Sequence, residues 1–133
     1  MKFILEPAEA EEYFFNSLCN GLQEMGYYNC AIDYPAEHYQ QAKDNWKKAN
    51  PNRDACYEDV LMQILKDGNK IAMIDLEDEE EPELLGEVTL KDVHEKVQLT
   101  PSRHMQDLLN ENDDATTADC VLQTVFLGEI VYG

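Results

Sequence analysis

Seven of the nine residues from Asp75 to Glu83 are acidic: Asp75, Glu77, Asp78, Glu79, Glu80, Glu81 and Glu83, with Pro82 near the end. Carboxylates at this density can bind a divalent cation, present a charged surface to a basic partner as a nucleic-acid mimic would, or stay in water. A calcium loop needs oxygen ligands at fixed offsets and a glycine to turn the chain. Asp75, Glu77 and Glu79 alternate, but no glycine follows until Gly86, so the loop pattern fails. Like charges in a block repel one another, which makes a solvated hairpin tip the plainest reading. A second acidic patch, Glu111, Asp113, Asp114 and Asp119, sits at the start of the last expected helix, where acids complement the dipole and cap free N–H groups.

The three histidines are His38, His94 and His104, and no pair has zinc-ligand spacing. Cys19, Cys30, Cys56 and Cys120 form no C-x-x-C pair. Each has apolar neighbours in sequence, so the expectation is free, buried thiols in a reducing compartment. A Cys–His nucleophilic pair would need a lowered thiol pKa and an adjacent base. The chain carries no G-x-G-x-x-G, P-loop, G-x-S-x-G or H-E-x-x-H. No catalytic residue, cofactor or metal is expected. Tyr27, Tyr28, Tyr34, Tyr39 and Trp46 lie near Lys43, Lys47, Lys48 and Arg53. Rings beside cations can stack on bases, serve a protein interface, or pack at a core edge. The candidate interaction residues are therefore the seven acids of 75–83, Asp113, Asp114, Tyr27, Tyr28 and Trp46.

The elements that must position these residues follow from periodicity and breakers. Pro7 opens a helix to about Met25, with Phe14, Phe15, Leu18 and Leu22 at helical spacing and Gly26 as its stop. Tyr27 to Ile32 reads as a short strand, and Pro35 opens a second helix. Asp54 is the expected N-cap of a third, with Tyr57, Val60, Leu61, Ile64 and Leu65 on one face and Gly68 at its end. Ile71–Ile74 reads as a central strand and Leu84–Thr89 as its hairpin partner. Thr89 with Asp92 resembles a capping box, and Thr100-Pro101 reads as a cap before the next helix. A last helix runs through Val121 and Phe126 to Gly128. The expected fold is α+β: about five helices, two or three short strands with a β-hairpin around 70–89, and one acidic domain over 1–133.

Composition narrows the function classes. The chain has 133 residues, 10 Lys and Arg against 28 Asp and Glu, and a net charge of −18. One domain is the natural division at this length. The charge argues against nucleic acid and anionic membranes as direct partners and favours basic proteins or cations. The N-terminal apolar run is too short for a signal-peptide core and Val121–Tyr132 is too broken to span a bilayer, so a cytoplasmic location is expected.

Asn20-Gly21-Leu22, Gly26-Tyr27-Tyr28, Cys56-Tyr57-Glu58-Asp59, Asp67-Gly68-Asn69-Lys70 and Val88-Thr89-Leu90-Lys91-Asp92 carry a family likeness. It is strongest from Asn112 through Asp113-Asp114-Ala115-Thr116-Thr117-Ala118-Asp119-Cys120-Val121-Leu122-Gln123 to Gly128-Glu129-Ile130-Val131-Tyr132-Gly133. The chain resembles small acidic proteins of phages, prophages and mobile elements of gut bacteria. That resemblance implies a setting and carries over no functional residue.

The expected function is a non-enzymatic accessory protein of a phage or mobile element acting by protein–protein contact, in its sharpest form a nucleic-acid mimic. The alternatives are a small enzyme or ligand-binding domain, with His94 or His104 near carboxylates in a pocket, and a virion or assembly component. Self-association stays open, as does the C-terminal motif's role as core seam or dimer contact.

Overall fold

The computed structural model describes residues 4–110 and 114–132. Asp113, one of the candidate interaction residues, lies outside them. Helix α1 (Pro7–Tyr27) buries Ala10, Phe14, Leu18, Gly21 and Met25 along one stripe, the spacing of a single helical face. It crosses α6 (Ala115–Leu127), whose residues from Thr117 to Phe126 are buried but for Asp119. A helix covered on nearly every side is the centre of a core. The α6 part of the C-terminal motif, Thr117 to Phe126, is therefore a core seam.

Strands β1 (Cys30–Asp33), β2 (Ile71–Asp75) and β3 (Glu83–Val88) form one antiparallel sheet in the order β1-β2-β3. Ile71, Met73 and Val88 point into the core, where α6 lies against β3. Ile74 pairs with Ala31 on one side and Leu84 on the other, so these three share the outer face. A register shift after Met73 leaves Leu85 unpaired, and Leu85 packs against the core. Helices α2 (Ala36–Ala49) and α3 (Tyr57–Lys66) pair with each other, while α4 (Leu90–Lys96), a 3₁₀ turn (Val97–Leu99) and α5 (Ser102–Leu109) complete the layer. The fold is α+β, with six α-helices and three strands among the described residues.

Five boundaries or burials differ from expectation. The strand expected over Tyr27 to Ile32 runs from Cys30 to Asp33, because Tyr27 still belongs to α1. Gly26 does not stop α1: it keeps helical geometry, and the turn is made by Asn29 at φ 62°, a left-handed conformation asparagine tolerates. Asp54 does not cap α3. Its side chain is fully exposed, 3.4 Å from Lys47, and the box is closed instead by Asp59, which accepts from the Cys56 N–H at 3.1 Å. Thr100 donates its hydroxyl to the Val97 carbonyl, closing the 3₁₀ turn rather than opening α5. Finally, Cys30 and Cys120 are buried, but Cys19 and Cys56 are exposed. Partial desolvation of the Cys19 thiol, and then nearby Glu58, raise it to about 11, above the ordinary value.

The Thr89–Asp92 box forms as read. Thr89 Oγ1 accepts from the Asp92 N–H at 3.3 Å, and Asp92 Oδ2 accepts from the Thr89 N–H at 2.9 Å. Partial burial raises the Asp92 pKa, but the bonds from Thr89 and the charge of Lys96 outweigh it and hold the carboxyl below its ordinary value. A depressed carboxyl contributes stability above its unfolded pKa that is lost as pH falls through the folded one. Thr89→Ala is expected to cost about 1 kcal/mol in urea unfolding at neutral pH. In Asp92→Asn, part of the wild type's loss of stability below about pH 4 should disappear.

Candidate acidic tip and open sheet face

The β2–β3 hairpin carries the acidic run outward. Residues 76–84 are all exposed, and Asp75 and Glu83 form the last pair of the ladder. The turn is built from its own carboxylates. Asp75 Oδ1 accepts from the Glu77 N–H at 2.8 Å, and Asp78 Oδ1 accepts from Glu80 and Glu81 at 3.1 and 3.4 Å. Such turns are the habit of aspartate. Two acids are thus spent within the turn, leaving Glu77, Glu79, Glu80, Glu81 and Glu83 to face water. Asp75, Glu77, Asp78, Glu81 and Glu83 rim a shallow depression of about 310 Å³. Among the described residues no Lys or Arg pairs with any of these seven carboxylates, and no group of three His, Cys, Asp or Glu is arranged to hold a metal.

The remaining candidates are dispersed. Asp114 caps α6, its Oδ1 accepting from the Thr117 N–H at 2.9 Å, and this bond holds its carboxyl below the ordinary value. Tyr27 is 70% exposed at the end of α1. Tyr28 is engaged inside: it stacks on Tyr132 with centroids 4.2 Å apart, and its hydroxyl donates to Asp119 at 2.6 Å. Burial first, and then the Asp119 carboxylate, push its phenol far above the ordinary value. Trp46 is buried with Arg53 over its ring at 5.5 Å. Tyr34, Tyr39 and Tyr57 form a separate cluster. Of the aromatic and basic residues that neighbour each other in sequence, Trp46 shares one small pocket with Lys43 and Lys47, and neither Tyr27 nor Tyr28 lines it.

The histidines also separate. His94 Nε2 lies 2.9 Å from Glu11 Oε2, tying α4 to α1. His104 is buried beside Thr117, with Oγ1 at 3.4 Å. His38 lies on the wall of a groove, its buried Nδ1 without a hydrogen-bond partner among the described residues.

That groove is the feature sequence reading missed. It covers about 700 Å³ of the sheet's outer face, with Ala72, Ile74 and Leu84 on its floor and Tyr34, Pro35 and Pro82 around it. The signal was present in Ile71-Ala72-Met73-Ile74. A strand apolar on both faces belongs in a sheet covered on both, and helices cover only one here. No helix of the described residues is long and apolar enough to cross a membrane. Compared with known proteins, the chain matches no family model, no curated protein and no solved structure.

Proposed function

We propose that this chain is a non-enzymatic binding protein, an accessory of a phage or mobile element, that meets a basic protein partner through its acidic hairpin. The observation that carries the reading is the hairpin tip: seven carboxylates on one exposed hairpin, two of them bonded within its turn and none paired with a cation among the described residues. Such a concentration of one charge speeds encounter with an oppositely charged partner. The mobile-element setting rests on the resemblance carried by residues 112–133. The sharpest form of the reading is a mimic that occupies the nucleic-acid-binding face of its target.

The test is capture by the tagged chain from nuclease-treated bacterial lysate at moderate salt, beside a variant carrying Glu79→Gln, Glu80→Gln and Glu81→Gln. A basic protein retained by the wild type, released by high salt or by added DNA, and not held by the variant is the expected result. A partner that binds the variant equally well would overturn the acidic-tip reading. One that binds the chain and DNA together would overturn the mimic.

A further inference from the structure

The sheet's outer face lacks the layer its residues call for. Ala31, Ile74 and Leu84 run across all three strands as an apolar row, and Leu84 is 56% exposed. A sheet buries its apolar face against another element, yet along this row Ala31 and Ile74 are only half-buried and Leu84 is exposed. Three strands spaced at about 4.8 Å make a floor about 10 Å wide, the diameter of one helix.

Charge decides what can lie there. Among the described residues Lys70 is the one Lys or Arg lining the groove, and Glu87 neutralises it at 2.7 Å. Asp33 stands at the rim, and the groove ends at Pro82, a member of the acidic run itself. A second copy of this chain would bring −18 of its own charge against these carboxylates. We infer that the groove is the docking site for an amphipathic helix of a basic partner protein, its apolar stripe on Ile74 and Leu84 and its flanking Lys and Arg facing Asp33 and the hairpin tip. This rests on the proposed binding role and names the partner's chemistry. Helix-in-groove docking of this kind is read by anchors at i, i+3, i+4 and i+7.

The test uses the full chain and a fluorescent peptide of about 18 residues, long enough to be helical, with Leu at those positions and Lys elsewhere. Its Kd is read by anisotropy at low salt and at about 0.15 M. Leu84→Asn, an exposed outer-face change that leaves the core untouched, is expected to raise Kd at least tenfold at both salts, since a buried leucine is worth about 1.5–3 kcal/mol. Leu99→Asn, at a leucine 59% exposed elsewhere, should leave Kd unchanged. The triple glutamine variant of the tip should weaken binding mainly at low salt.

If the tip variant weakens binding and Leu84→Asn does not, the groove is overturned and the acidic-tip reading stands. If Leu84→Asn acts and the tip variant does not, the basic character of the partner is overturned. A peptide that fails to bind the wild type, or that loses as much to Leu99→Asn as to Leu84→Asn, overturns the groove as its site.

Discussion

Gly86→Ala should destabilise the protein by about 3 kcal/mol or more, because a methyl group there has nowhere to go. A Cβ built on Gly86 runs into the carbonyl oxygen of Phe126 and comes within 3.1 Å of its carbonyl carbon. The obstacle is backbone in the last turn of a buried helix, so no rotamer change relieves it. Either α6 lifts from β3, opening the contact between sheet and helix layer, or β3 bends away from β2. Both give up burial that the core depends on. Gly26→Ala is the natural control. Its added Cβ meets nothing within 4 Å and the residue is helical, so this change should stabilise by about 0.5–1 kcal/mol. Urea unfolding should therefore move the two midpoints in opposite directions at a common m-value. A Gly86→Ala midpoint equal to wild type would mean that α6 and β3 do not pack as closely as described.

Local signals were readable where one stretch of chain carries its own instruction. The Thr89–Asp92 box, the apolar face of α3 and the glycines that end α3 and α6 depend on residues within one turn. The hairpin was readable too, because an acidic block between two apolar runs has only water to go to. What failed were inferences from the nature of neighbours. Cys19 follows buried Leu18, but one helical step is about 100°, which turns its sulfur outward. Gly26 looked like a stop because glycine often is one, yet only the chain's later course toward β1 decides that Asn29 turns instead. The candidate site divides the same way. The acidic tip is a property of one segment, whereas the groove exists only because strands from 30–33, 71–75 and 83–88 align with one face uncovered. The register shift that puts Leu84 on that face shows only in the pairing of β3 with β2.

Gln123→Leu is expected to release the chain's C-terminal segment and to cost about 2–4 kcal/mol, more than most changes of similar volume. Gln123 reads in sequence as an interruption of an apolar run, but it is fully buried and every polar atom of its amide is in use. Its Oε1 accepts from the N–H groups of Val131 and Tyr132, both at 2.8 Å, while Nε2 donates to the Tyr132 carbonyl and to Asp119, both at 2.9 Å. Leucine fills much the same space and makes none of these bonds. The segment must then choose between a docked position with unpaired backbone groups and water, and water is cheaper. Release also breaks the Tyr28–Tyr132 stack, and that gives the outcome a signature beyond stability. Burial, and then its bond with Cys30 and the charges of Asp75 and Glu83, push the Tyr132 phenol up to about 12. A phenol raised in the folded state contributes stability that is lost as pH climbs through its folded pKa. Wild type should therefore weaken between about pH 10 and 12, and Gln123→Leu less steeply, because its Tyr132 already titrates near the ordinary value of about 10. Ultraviolet titration of the phenols would show one tyrosine moved to lower pH in the variant. A variant with wild-type titration and midpoint would mean that the tail holds by the stack of Tyr132 on Tyr28 alone. Tyr132→Ala would then release it and Gln123→Leu would not, which separates hydrogen bonding from ring contact as the force holding the tail.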